Sequence, residues 1–216
     1  MKILITAATD SELLTAQAAA AVSGHVVTLA VTGIGMVATA YHTARWLLDE
    51  SFDLVVNVGI AGSFSERFPV GSVVCPVKEY FGDSGVQTRA GFSSLFDEQL
   101  LGANTFPFVD GALFYQLPAV MASAGGLPFP PATGVTLQMA TGSQARVEEL
   151  QARFCPDIET MEGAAFFYVC LSEDVPFVAL RAISNKVEER NKAAWDIPLA
   201  MRSLQAAVRK LLSLFV

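Results

Sequence analysis

Charge is scarce in this chain. Asp, Glu, Lys and Arg make up 16% of its 216 residues, against about 25% in an average soluble domain, so much surface has to be covered by neighbouring elements or by a second subunit. With 52% hydrophobic residues, intrinsic disorder is excluded. Basic residues are scarcer than acidic ones, 14 against 21, for a net charge of −7, and without a basic stripe the chain lacks the footprint that a phosphate backbone requires. Nucleic acid is therefore not expected as a partner. The two histidines, His25 and His42, and three cysteines, Cys75, Cys155 and Cys170, lie far apart with no CxxC, so no set of them has the spacing of a structural zinc site. Reduced thiols point to the cytoplasm. Long apolar runs are missing too. The stretch from Leu13 to Tyr41 has no charged residue, but Ser23-Gly24-His25 and Gly33-Ile34-Gly35 cut it into pieces shorter than a membrane span. The apolar opening ends at Asp10 and Glu12, too short for the core of a signal peptide.

What is present reads as alternating strand and helix. Lys2 to Ala7 is a short branched apolar run, and Asp10 or Ser11 can cap a helix through Ala21. His25 to Val31 is a second strand. It meets Thr32-Gly33-Ile34-Gly35 and a helix from Met36 to Glu50, with Val37, Tyr41, Ala44 and Leu48 on one face. Asp53 to Val58 is almost continuously apolar, as expected of a strand buried on both sides, and empties into Gly59 to Ser63. Ser72 to Tyr80 reads as strand. The segments 82–111 and 125–133 carry Gly, Pro and Ser without helical period. Order returns with a strand at Val135 to Ala140, a helix at Ser143 to Arg153, a strand at Ile158 to Met161 and a helix at Glu162 to Glu173. A strand at Pro176 to Ser184, a polar loop and a helix from Asp196 to Phe215 complete a wound α/β sheet in one domain, residues 1 to 216.

Ligands of open parallel sheets bind at the carboxyl ends of strands. That rule selects Ala7 to Glu12, Thr32 to Gly35, Gly59 to Ser63, Thr141 to Ala145, Met161-Glu162 and Ser184-Asn185. Two carboxylates, Glu12 and Glu162, stand there among small or apolar residues, a pair suited to acid–base work and to binding sugar hydroxyls. Each also has a plainer reading as a solvated or dipole-compensating acid in a helix first turn. Asn185 has one as a turn former.

Five segments in order add a resemblance: MKILITAATDSEL with Glu12, TGIGMVATA from Thr32, NVGIAGS from Asn57, TMEGAA from Thr160 and VPFVALRAISN ending at Asn185. Together they resemble the nucleoside phosphorylase and nucleosidase superfamily over the whole chain, which implies a single-domain three-layer α/β/α fold with a central mixed, mostly parallel twisted sheet. Within it, TMEGAAFF and RAISNKVEERNKAAWDIPLA look most like the futalosine hydrolase branch. This implies hydrolysis of futalosine to hypoxanthine and dehypoxanthine futalosine in menaquinone biosynthesis, without metal or cofactor, in a homo-oligomer.

By that resemblance Glu12 activates the attacking water, Met161 and Glu162 contact the ribose, and Asn185 faces the purine. Gly62, Trp195 and the Thr141-to-Arg146 segment, with Arg146, fall at further substrate-binding positions, and Arg181 braces the Asn185 loop. Adenine-directed relatives carry Asp where Asn185 stands. An amide can donate to the O6 or N7 of a 6-oxopurine, which an ionised Asp cannot. Phosphorolytic relatives carry Arg where Asn57 stands, which favours water over phosphate unless Arg45, Arg67 or Arg89 substitutes. Lys78, Arg89, Lys186 and Arg190 are candidates for the benzoate of futalosine. An adenine-directed nucleosidase, a phosphorylase and a non-catalytic nucleoside-binding protein are the alternatives.

Overall fold

The computed structural model describes residues 1–89, 91–123, 125–189 and 191–215. Strand β1 (Lys2–Ala7), helix α1 (Asp10–Ala21), strand β2 (Val26–Val31), helix α2 (Met36–Asp49) and strand β3 (Leu54–Ser63) form two successive βα crossovers. Next come β4 (Val73–Phe81), a hairpin of β5 (Gly85–Thr88) and β6 (Gly91–Ser94), the short β7 (Leu113–Phe114) and a single turn of helix, α3 (Ala119–Ser123). Then β8 (Pro131–Thr136), α4 (Gln144–Phe154), β9 (Ile158–Thr160), α5 (Gly163–Ser172), β10 (Phe177–Lys186) and α6 (Ile197–Leu212) complete the main elements.

The sheet is mixed. β2, β1, β3 and β10 are mutually parallel, while β4, β8 and β9 run the other way. β10 pairs with both β3 and β4, and β9 with both β8 and β3, so β3–β10–β4–β8–β9 closes on itself while β1 and β2 extend it as an open wing. The apolar strands bury both faces, as the continuous runs require. Ile3, Ile5, Val56, Val178 and Leu180 pack against Leu204, Val208 and Leu211 of α6, which lies with α1 on one face. Leu4, Val55, Phe177 and Ala179 pack on the other against Phe166, Phe167 and Cys170 of α5. Among the described residues no helix is long and apolar enough to cross a membrane.

Several boundaries differ from those the sequence suggests. β3 continues through the glycine-rich Gly59 to Ser63, because β10 pairs along it from Val55 to Ser63. β8 begins at Pro131 and ends at Thr136, where pairing with β4 stops. The α1 cap is Thr9, whose hydroxyl accepts from the Glu12 amide while the Glu12 carboxylate accepts from the Thr9 amide, a reciprocal capping box. The structure also gives α2 its orientation, which the sequence left open. Val37, Tyr41 and Leu48 lie outward, 78%, 61% and 74% exposed. Thr39 and Thr43 are the buried residues, since α5 lies so close that small side chains fit the contact.

Candidate active site

The strand register creates an opening in the sheet. β10 covers one edge of β3 continuously, whereas the other edge is paired with β1 up to Asn57 and with β9 only from Gly62. Among the described residues no strand flanks the interval Val58 to Ala61. A cavity of about 310 Å³ occupies this place, and Glu12, Gly62, Met161, Glu162, Asn185 and Trp195 all line it. Arg146 does not. Its guanidinium donates to the Gly82 carbonyl (3.1 Å) and to Glu149 (2.7 Å) and lies over the Phe92 ring, holding the β5–β6 hairpin to α4.

Glu12 reaches the opening from the first turn of α1. Its Oε2 accepts from the Thr9 amide (3.1 Å) and hydroxyl (2.7 Å), and its Oε1 accepts from the Ile60 amide (3.1 Å), one of the β3 donors left without a strand partner. Gly59 permits this approach, because a Cβ there would stand 3.1 Å from Glu12 Oε1. The carboxylate is thus buried and fixed as an acceptor, and the solvated-acid reading fails.

Glu162 follows β9 and precedes α5 without capping the helix through its side chain. Its Oε1 accepts instead from the Gly35 amide (2.8 Å), whose φ of 89° is a glycine conformation. The amides of Gly163 and Ala164 are capped from the sheet by the hydroxyls of Thr160 (3.1 Å) and Thr136 (2.7 Å). Burial pushes the Glu162 carboxyl above the usual range and the Glu12 charge adds to this, while the Gly35 amide and the Arg181 guanidinium oppose it.

Behind these acids lies Arg181, 2% exposed. It donates to the Asn57 carbonyl (3.2 Å), the Leu180 carbonyl (3.0 Å) and the Asn57 side-chain oxygen. It therefore braces β3 rather than the Asn185 loop, and Asn57, buried and bonded also to Thr6, does not line the cavity. Glu79, fully buried on β4, accepts from the Thr136 hydroxyl (2.9 Å), and burial raises its pKa to about 7 against the opposing Arg181 charge.

Asn185 is oriented by two bonds. Ser184 Oγ donates to its Oδ1 (2.8 Å), and its Nδ2 donates to the Lys186 carbonyl (2.7 Å). Turning the amide over would set Oδ1 against that carbonyl, so the NH2 group is held where it stands, with one hydrogen left for a ligand. Trp195 is brought to the rim by the Asp196 amide, which donates to the Ser184 carbonyl (2.9 Å). Of the cations considered for the benzoate, Lys186 lines the cavity, ion-paired to Glu66. Lys78 stacks over Tyr80 and Phe114, Arg89 lies on the exposed hairpin, and Arg190 is outside the described residues.

Sequence reasoning passed over Glu159. It is the central residue of β9 rather than one past a strand end, and it lines the same cavity as Met161. Its Oε1 accepts from the Thr141 amide (2.9 Å), and burial raises its pKa against the Thr141 contacts and the Arg146 charge.

The profile of the Phosphorylase superfamily matches residues 13–216. A futalosine hydrolase of Streptomyces coelicolor is 36% identical over 189 residues, 85% of this chain and 77% of the relative. A 5′-methylthioadenosine/S-adenosylhomocysteine nucleosidase of Haemophilus influenzae is 28% identical over 195 residues, 88% of this chain and 82% of the relative. Among solved structures, the native futalosine hydrolase of Helicobacter pylori superposes with a TM-score of 0.78 over 99% of this chain and 97% of that one, at 18% identity, a likeness of fold.

Proposed function

Because the chain belongs to the phosphorylase superfamily and is 36% identical to a futalosine hydrolase, we propose that it is a purine N-ribosyl hydrolase that cleaves futalosine to hypoxanthine and dehypoxanthine futalosine. The observation that carries this reading is the meeting of Glu12, Glu162 and the oriented amide of Asn185 on one cavity.

Breaking an N-ribosidic bond builds positive charge on the sugar and negative charge on the departing base. Glu12 is the general base. Three fixed donors hold both of its oxygens, and a water bound at its remaining lone pair would be deprotonated as it attacks the anomeric carbon. Glu162, with Met161 beside it, accepts from the ribose hydroxyls, and its charge favours the cationic sugar. Asn185 donates to the purine at O6 or N7 and stabilises the leaving base without giving up a proton, so the base departs as its anion and takes its proton from water, while Glu12 returns the proton it has taken to solvent. Gly62 leaves room for the ring and Trp195 covers it. Water is the nucleophile in this reading: Arg45, Arg67 and Arg89 do not line the cavity, and Lys186, the cation that does among the described residues, is already ion-paired to Glu66.

The same reading places the reaction in menaquinone biosynthesis and in the cytoplasm, which the free thiols of Cys75, Cys155 and Cys170 support. It includes a homo-oligomer, supported by the outward apolar stripe of α2. The test is an end-point assay with futalosine, aminofutalosine, methylthioadenosine and inosine, each with and without phosphate, reading the released base by chromatography. Hypoxanthine from futalosine without phosphate is expected. Adenine from methylthioadenosine alone would move the chain to the adenine-directed branch, and strict phosphate dependence would make it a phosphorylase.

A further inference from the structure

We propose that Glu79 is a positioning residue for Glu162: by accepting from the Thr136 hydroxyl beneath α5 it keeps the first amides of that helix capped from the sheet, and so leaves the Glu162 carboxylate free to hold the sugar. The inference rests on the sugar-binding reading of Glu162 above. Glu79 does not line the cavity and takes no part in the steps derived for it. Yet it is fully buried, where a carboxyl is costly unless something holds it. Two elements give up their side chains to admit it, since a Cβ at Gly134 of β8 or at Gly163 of α5 would run into the carboxyl. Residues opposite one another on neighbouring strands share a face. Glu79 pairs with Gly134 and Thr136 with Thr160, so the acid and both hydroxyls lie together under the start of α5.

Glu162 occupies the N-cap position of α5, where a side-chain oxygen ordinarily accepts from an amide two or three residues on. It makes no such bond. The Ala164 amide donates instead to Thr136 Oγ1 (2.7 Å), and the Gly163 amide to Thr160 Oγ1 (3.1 Å). The two hydroxyls are 3.1 Å apart. With Thr136 donating to Glu79 Oε2 (2.9 Å), Thr160 donates to Thr136, whose two lone pairs then hold the Ala164 amide and the Thr160 hydroxyl. Each hydrogen in the chain has one acceptor, and the last acceptor is Glu79. Without it the terminal hydroxyl hydrogen turns back into the chain, and the cap on Ala164 weakens. Glu162 is then drawn to its own helix and away from the Gly35 amide (2.8 Å) that aims it at the cavity.

Binding of inosine and hypoxanthine to the wild type, Glu79→Ala and Glu79→Gln, by calorimetry, tests this together with KM and kcat on futalosine. Inosine carries the sugar that Glu162 holds, and hypoxanthine lacks it. Glu79→Ala should weaken inosine and raise the KM of futalosine roughly 10-fold, with hypoxanthine affinity changed by less than about 2-fold. Glu79→Gln keeps an oxygen for Thr136 and should restore most of the loss. Equal weakening of both ligands in Glu79→Ala would mean a general loosening and overturns the proposal, as does inosine binding that stays unchanged or is no better in Glu79→Gln than in Glu79→Ala. If Glu79→Ala does not fold, Thr136→Val takes its place with Thr136→Ser as the restoring variant. If inosine binds too weakly to measure, the KM of futalosine decides in the same way. The expected pattern on inosine without turnover of futalosine would sink the hydrolase reading alone. Turnover of futalosine with Glu79→Ala like the wild type would sink only this inference, and a wild type that binds neither ligand would sink both.

Discussion

At the scale of single residues, Glu12 and Glu79 are buried and Glu162 is half-buried, and their environments separate their tasks. Glu12 has donors on both oxygens and should carry proton transfer. Replacing it by Gln should lower kcat roughly 10²- to 10⁴-fold with hypoxanthine affinity little changed, and an equal fall in both would reassign it to binding. Asn185→Asp should shift kcat/KM toward 6-amino substrates, read from futalosine against aminofutalosine. Glu79 has a different consequence. Its carboxyl titrates near 7 in the folded chain against an ordinary 4.5, so as pH rises the unfolded chain releases the proton first. The Glu79 contribution to stability should then fall between pH 4.5 and 7 by on the order of 3 kcal/mol, and Glu79→Gln should remove that share of the slope in denaturant titrations, leaving the part due to Glu162 and Glu159, whose carboxyls are also raised. Glu12 and Glu162 were legible in the sequence because strand ends are where ligands bind. Glu159 and Glu79 were not, since each lies inside a strand where an acid reads as a solvated position until the register is known.

At the scale of elements, the N-terminus of α5 shows how a sheet can serve a helix. Thr136 of β8 and Thr160 of β9 cap the first amides of α5, and Glu79 of β4 closes the network from below. Glu162 is thereby released from capping and reaches across to α2. Gly163 is required by packing, because a Cβ there would lie 2.3 Å from Glu79 Oε1. Gly163→Ala should cost about 1–3 kcal/mol by overpacking. In the Glu79→Ala background the penalty should shrink to the part set by Thr160 Oγ1, 2.9 Å from the same Cβ, a coupling measurable in a double-mutant cycle. The βα alternation was readable from apolar runs and turn residues. The closure of β3–β10–β4–β8–β9 was not, because it depends on β10 pairing two strands of opposite direction, which no local pattern encodes.

At the scale of the whole molecule, the shortage of charge noted in the sequence has a location. The apolar stripe of α2 that would ordinarily face a core instead faces outward beside the active site, where Ile34 is itself both 63% exposed and a cavity-lining residue. If this stripe is the contact between copies of the chain, Val37→Glu with Tyr41→Glu should convert the oligomer to monomer by light scattering and weaken substrate binding together. A mass that does not change would remove the stripe from the interface. The spacing of Val37, Tyr41, Ala44 and Leu48 identified an apolar face and left its direction open, since periodicity reports a face and not what covers it.

The break in pairing along β3 also makes the protein its own spectrometer. Amides that flank the interval are protected by neighbouring strands, so they exchange with solvent at the pace of larger openings. The Ile60 amide is protected by a single carboxylate oxygen. Its exchange rate therefore follows the position and charge of Glu12, residue by residue and without any substrate being turned over. Replacement of that carboxylate by Gln or the arrival of a ligand in the cavity would each register at this one backbone proton.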